Sequence, residues 1–162
     1  GTGRGEFLTV MKDSFVKSFG VEPNETVAIS CIKKGLDVKN SDGITYLRRL
    51  ENESLGGVFA NGYIETLSKE QVIEVIREAH RCIKEGGYLI LESNNPANSS
   101  MGDFYANPLV SRPVHPEYVK YLMEITGFES ITIKEHANGN KYAITGKRKL
   151  LEENKVDADK EE

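Results

Sequence analysis

Apolar positions recur along the chain at two periods, and their alternation sets an order of helices and strands. Phe7, Leu8, Val10, Met11, Phe15 and Val16 fall close to helical spacing and predict a helix from about Glu6 to Lys17. Ser18 to Glu22 is then a short strand ending in a carboxylate, and Pro23-Asn24 turns the chain. Asn24 caps a helix running to about Lys34, with Gly35 as its stop. Leu36 to Asn40 is a weak strand, Asp42-Gly43 a turn, and Ile44 to Leu50 one or two helical turns. Leu55 to Ile64 is apolar and nearly uncharged, as in a buried strand of a parallel sheet. Ser68-Lys69-Glu70-Gln71 has the form of a capping box. Val72, Ile73, Val75, Ile76, Ala79 and Ile83 mark one face of the amphipathic helix that follows, and Gly86-Gly87 stop it. Tyr88-Leu89-Ile90-Leu91 is the clearest buried strand in the chain.

The second half is less regular. Ser93 to Pro113 is rich in Asn, Ser, Pro and Gly and reads as a long loop with a helical turn near Phe104. Its part from Asn94 to Arg112 is long and polar enough for a mobile cover over a binding site, with Phe104 and Tyr105 as the closing pair. His115-Pro116-Glu117 starts a helix through about Thr126, stopped by Gly127. Ser130 to Lys134 and Lys141 to Thr145 are strands joined by an Asn138-Gly139 hairpin turn. Strands and helices alternate and the chain closes on a hairpin. This predicts an α/β domain with a mostly parallel sheet and a C-terminal antiparallel hairpin, over residues 1–147. Residues 148–162 are charged and nearly free of large apolar side chains, as in a frayed tail. Ligands in such sheets bind outside the carboxyl ends of the strands.

A chain of 162 residues, 38% hydrophobic and 28% charged, is the size and composition of one soluble globular domain. No apolar run is long enough to span a bilayer and no signal-peptide pattern opens the chain, which predicts a cytoplasmic protein. With 21 basic and 25 acidic residues, the net charge of -4 lacks the basic surplus of a nucleic-acid binder, and no nucleic-acid partner is expected. Cys31 and Cys82 belong to no CxxC pair and no Cys/His cluster has zinc spacing. They read as two reduced thiols packed against a core, and no metal is expected.

The candidate chemistry starts at the first residue. Gly1-Thr2-Gly3-Arg4-Gly5 is a glycine turn of the kind that follows a buried strand and opens a helix, so an upstream strand ending in an acidic residue is expected. Glu6 stands where the dinucleotide pattern G-x-G-x-x-G needs its third glycine. A carboxylate on the first helical turn disfavours a pyrophosphate there, and with it a nicotinamide-dependent dehydrogenase. It does not oppose a ligand that carries a cationic sulfonium and no phosphate. Glu22 ends the second expected strand, where a carboxylate can accept from both ribose hydroxyls, and Asp42-Gly43 ends the third, where an adenine edge can be met.

The run of G-x-G-x-G, Glu22, Asp42-Gly43 and Gly86-Gly87-Tyr88 resembles a class I S-adenosylmethionine-dependent methyltransferase. Ser54-Leu55-Gly56-Gly57-Val58, Glu92-Ser93-Asn94-Asn95-Pro96 and Arg112-Pro113-Val114-His115-Pro116-Glu117 are similar to one branch of that family, associated with surface polysaccharides such as O-antigen. The resemblance implies a Rossmann-like sheet of seven strands, its first strand absent from this chain, with S-adenosylmethionine over the carboxyl edge. It implies that Gly1, Gly3 and Gly5 line the methionine part, that Glu22, followed by Pro23, holds the ribose, that Asp42 and Gly43 meet the adenine, and that Asn61 lies beside the methyl group. The function it implies is methyl transfer to an oxygen of a small molecule or glycan. Where the branch has Glu-His after the fourth strand, this chain has Glu65-Thr66, and where it has Thr-His before the Arg-Pro run, this chain has Leu109-Val110. The two lost histidines motivate an alternative, a non-catalytic methyltransferase-like binding module.

Deprotonating a hydroxyl calls for a base. His115 is the histidine that the fold would place over the cofactor, and its other reading is a helix-starting residue bonded to nearby backbone. Glu65 is a second candidate base, or a group that positions the following helix. Tyr105 and Arg112 are candidates for holding a sugar or phosphate, because an Arg fork binds anions through two bonds. His80 and His136 read as surface residues.

Overall fold

The computed structural model describes residues 1–98 and 100–150, apart from the side chains of Met101, Asp103 and Tyr105. It contains helices α1 (Glu6–Asp13), α2 (Glu25–Lys33), α3 (Gly43–Leu47), α4 (Lys69–Cys82), α5 (Met101–Ala106) and α6 (Pro116–Thr126). The strands are β1 (Gly20–Glu22), β2 (Val38–Asn40), β3 (Leu55–Asn61), β4 (Ile83–Asn94), β5 (Phe128–Glu135) and β6 (Lys141–Arg148). A 3-10 turn, Ile64–Thr66, follows β3.

Strands β1 and β2 pair in parallel as a small sheet, and a second sheet has the order β3-β4-β6-β5. Within the larger sheet β3 and β4 are parallel, while β6 runs antiparallel to both β4 and β5. The sheet is therefore mixed, with the expected hairpin as a full half of the larger sheet. Among the described residues there are six strands, where the resemblance implies seven, and no strand pair joins the two sheets. The rings of Phe7 on α1 and Phe59 on β3 bridge them, stacked at 3.9 Å.

Local signals explain most element ends. The side chain of Asn24 accepts from Val27 N, and that of Asp42 from Thr45 N, each capping the helix it precedes. Ser68 and Gln71 form the reciprocal capping box of α4. Three boundaries differ from expectation. Helix α1 stops at Asp13 because Phe15 turns left-handed, φ 58°, with its ring in solvent. Helix α4 stops at Cys82, and Ile83 already pairs with Leu55, so the chain enters β4 before the glycines. Gly86-Gly87 then sit in a register shift inside the sheet rather than at a helix end. The strand β4 also reaches Asn94, shortening the expected loop.

The main core lies between one face of the larger sheet and helices α4 and α6, with Leu89, Leu91 and Ile144 meeting Val72, Ile76, Val119 and Met123. A smaller core of Leu8, Ala28, Cys31, Leu36 and Val38 holds α1 and α2 on β2. Both cysteines are free and buried, as expected. His80 is half-buried at the surface, its ring edge-on to Phe128 at 5.0 Å and beside Gly127. His136 is exposed, 3.8 Å from the Glu92 carboxylate. Lys149 and Leu150 are exposed, and the rest of the expected tail, 151–162, lies outside the described residues.

Candidate active site

The glycine turn packs on the carboxyl end of β1. Gly1 N and Thr2 N both donate to Val21 O, at 3.0 and 3.1 Å. Gly5 has φ 83°, and a Cβ there would stand 2.5 Å from Leu36 Cδ1, so only glycine fits. Gly3 also has a positive φ, but a Cβ on it would meet nothing within 4 Å. Its backbone therefore faces open space and can be approached closely by a ligand.

Glu22 ends β1 and is buried, 8% exposed. Its Oε2 accepts from Gly3 N at 3.1 Å and its Oε1 from Asn24 N at 3.0 Å. The glycine turn and the helix cap thus fix both carboxylate oxygens in place. Each oxygen accepts one bond and has capacity for another, which is the arrangement a pair of ribose hydroxyls requires. The adjoining Pro23 carbonyl accepts from Asn40 Nδ2 at 3.1 Å, tying the turn after β1 to β2.

Asp42 and Gly43 open α3 beside Tyr63, a residue the sequence reading did not single out. Tyr63 Oη lies 3.5 Å from Asp42 Oδ1, and a Cβ on Gly43 would stand 2.8 Å from that same hydroxyl. Gly43 is thus needed for the close approach of the ring. Burial, and then the Asp42 charge, push the Tyr63 phenol up to about 12, so it stays a neutral donor. The ring also borders Gly1 at 3.8 Å from the position of a Cβ. Asp42, Gly43 and Gly1 therefore border one aromatic ring, and Gly3 joins Glu22 to the same glycine turn. Asn61 closes β3 on the next edge, where Gly62 N bonds Glu92 O at 2.8 Å. An aromatic one turn past a strand end was the only sequence signal for Tyr63.

Glu65 is 4% exposed, and its carboxylate takes three hydrogen bonds. It accepts from Ser93 Oγ at 2.8 Å, Asn94 N at 3.1 Å and Asn94 Nδ2 at 3.0 Å. Its backbone carbonyl accepts from Ser111 N and Arg112 N. Carboxylate and carbonyl together tie the turn after β3 to the end of β4 and to Ser111–Arg112, which favours the positioning reading over the base. Val114 is anchored beside it, its carbonyl accepting from the buried Tyr142 hydroxyl at 2.9 Å.

His115 is the exposed N-cap of α6, its Nδ1 accepting from Glu117 N at 3.3 Å. Arg112 lies over the Tyr118 ring at 5.7 Å. Phe104 is packed inside, 2% exposed, so it is not a free closing residue; the Tyr105 side chain lies outside the described residues. The expected mobile cover is tied down at both ends, by Asn95 N to Asn140 O at 2.8 Å and by the Glu65 carbonyl. Among the described residues no group of His, Cys, Asp or Glu is arranged to hold a metal. No described helix is long and apolar enough to cross a membrane.

The sequence matches the family described as "Methyltransferase domain" over residues 1–91. None of the curated proteins matches it. Among solved structures, a SAM-dependent methyltransferase from Archaeoglobus fulgidus is similar with a TM-score of 0.85 and 30% identity, over 91% of this chain and 83% of that one. A possible histamine N-methyltransferase from Thermotoga maritima is similar with a TM-score of 0.76 and 23% identity, over 92% and 79% of the two chains. A phosphoethanolamine N-methyltransferase of Haemonchus contortus, in complex with phosphomonomethylethanolamine and S-adenosylhomocysteine, shares the fold at a TM-score of 0.77 and 12% identity, over 93% of this chain and 48% of that one. With the family match over more than half of the chain and 30% identity to a SAM-dependent methyltransferase along 91% of it, the chain belongs to the S-adenosylmethionine-dependent methyltransferases.

Proposed function

We propose that this methyltransferase acts on an oxygen of a small molecule or glycan, with the acceptor entering between the end of β3 and the start of α6. The observation that carries the reading is the buried Glu22 carboxylate at the end of β1, oriented by Gly3 and Asn24. Bound S-adenosylmethionine supplies a methyl group on a cationic sulfonium that departs as a neutral thioether. In this reading Glu22 accepts from the ribose hydroxyls, Asp42 and Gly43 meet the adenine, and the Gly1, Gly3 and Gly5 backbone lines the methionine part. Asn61 borders the reacting carbon. Alignment of acceptor, carbon and sulfur is then the main catalytic contribution.

The choice of oxygen rests on the resemblance of the Arg112–Glu117 run to the polysaccharide-associated branch. His115 is the base in this reading. While its Nδ1 accepts the cap bond, the neutral ring carries its proton on Nε2 and has no lone pair for a hydroxyl. A 3.3 Å bond at an exposed ring is weak, so the acceptor hydroxyl can displace it and pass its proton to Nδ1. Glu65 positions the segment that carries His115, and Arg112 and Tyr105 bind the acceptor. The test is methyl transfer from S-adenosylmethionine to a panel of hydroxylated small molecules and glycans, with amines alongside, read by mass spectrometry. Methyl ethers are expected, and His115→Gln should lower turnover about 10²-fold or more while S-adenosylhomocysteine affinity stays level. Methylation confined to amines would overturn the assignment of oxygen.

A further inference from the structure

Arg112 presents an unusual defect. Its Nε and Nη2 are buried and have no hydrogen-bond partner, and the hydroxyl of Tyr118 is buried and unpartnered as well. These are not scattered atoms. Nε–H and the adjacent Nη2–H form one edge of the guanidinium, the edge that takes two oxygens of an oxyanion side by side. The group stands over the Tyr118 ring at 5.7 Å, so ring and guanidinium belong to one site. Buried donors left unmade are costly, and a guanidinium cannot relieve that cost by losing its proton.

The location is also suggestive. Arg112 N donates to the Glu65 carbonyl at 3.2 Å, and the Glu65 carboxylate is bonded to Ser93 and Asn94 at the carboxyl end of β4. The arginine is therefore anchored to the edge where a sheet of this kind presents its ligands. Tyr118 is in the first turn of α6, directly after His115 and Pro116-Glu117. The carboxyl of Glu70 feels the charge of Arg112. It is held low by its own backbone N–H first, then by the Ser68 hydroxyl, with Arg112 the last contribution. No salt bridge joins Glu70 to Arg112 among the described residues, so the charge of the arginine is only partly answered.

We propose that the methyl acceptor is anionic, and that the free edge of Arg112 together with the Tyr118 hydroxyl binds its oxyanion. A phosphate ester places two oxygens on Nε and Nη2 and can accept a hydrogen bond from the tyrosine hydroxyl on a third; a carboxylate has only the first two to give. The inference rests on the reading of this cleft as a methyltransferase site for its place in the reaction, but not for the binding itself.

Calorimetric titration of the full chain with inorganic phosphate, with acetate and separately with S-adenosylhomocysteine tests it. Phosphate should bind, and Arg112→Gln should weaken it at least about tenfold, with S-adenosylhomocysteine binding unchanged. Arg112→Lys keeps the charge and loses the fork, so it should restore only part of the affinity. Tyr118→Phe removes one hydroxyl and should weaken phosphate more than acetate. Glu70→Gln removes the opposing charge and should tighten both anions. Phosphate binding without S-adenosylhomocysteine binding would leave this site standing and remove the functional reading around it. Failure of the wild-type chain to bind either anion, or an Arg112→Gln chain that melts like wild type and binds phosphate equally well, would overturn the proposal.

Discussion

Glu22 shows how one side chain is prepared before any ligand arrives. Two backbone N–H groups, from Gly3 and Asn24, hold its oxygens, one from the glycine turn and one from the cap of α2. Replacing it by alanine removes the ribose contacts proposed for it and releases both N–H groups. Glu22→Ala is expected to weaken S-adenosylhomocysteine binding by about 1–3 kcal/mol, measured by calorimetry, because bonds to a charged acceptor are lost. Unchanged affinity would take Glu22 out of the site. Glu65 is also a buried carboxylate, and it takes three bonds where Glu22 takes two. From the sequence Glu22 reads as a ribose holder, and Glu65 as a candidate base or a group that positions the following helix. The bond from Asn24 N to Glu22 is local, whereas Gly3 reaches it from 19 residues away and Glu65 takes its partners from Ser93 and Asn94, on a strand that the local pattern does not connect to it.

At the scale of elements, helix caps were the most readable feature. Asn24, Asp42 and Ser68 each accept a bond from a backbone N–H three residues on, because a short polar side chain can satisfy a first-turn donor with no help from elsewhere. Ser68→Ala should lower the stability of the fold by about 1 kcal/mol in urea unfolding, without altering ligand affinity. The junction of α4 and β4 was less readable. Ile83 fits the apolar face of the helix and also the start of a strand, and periodicity cannot divide it between them. Its pairing with Leu55 decides the matter. The following glycines are then required by the sheet: a Cβ on Gly87 would lie 2.5 Å from Gly56 O.

For the whole molecule, the core of the larger sheet is closed by α4 and α6, and His80 sits where α4 meets the start of β5. Burial first, and then the charge of Arg148, lower its pKa, while a bond with the Gly127 backbone acts the other way. The unfolded chain takes up this proton near the ordinary histidine value of about 6.5, whereas the folded one resists until lower pH. The contribution of neutral His80 is therefore complete above about pH 6.5 and is lost as pH falls through the depressed value of the folded state. Thermal melts should show a fall in midpoint across that interval, and His80→Gln should flatten it. A midpoint equally steep in the variant would assign the effect to other groups.

What the sequence determined by itself is local: the order of helices and strands, the caps, the glycine turn that opens α1, and carboxylates at the ends of β1 and before α3. Each depends on residues within a few positions, where period and side-chain chemistry act directly. The tertiary structure alone decided how distant residues meet. It split the strands into two sheets, put Tyr63 against Asp42 and Gly43, and joined the Tyr142 hydroxyl to the Val114 carbonyl across 28 residues of chain. It also left one edge of Arg112 buried without a partner. No pattern of hydrophobic and polar positions encodes these pairings, because they follow from which surfaces the packed core brings into contact.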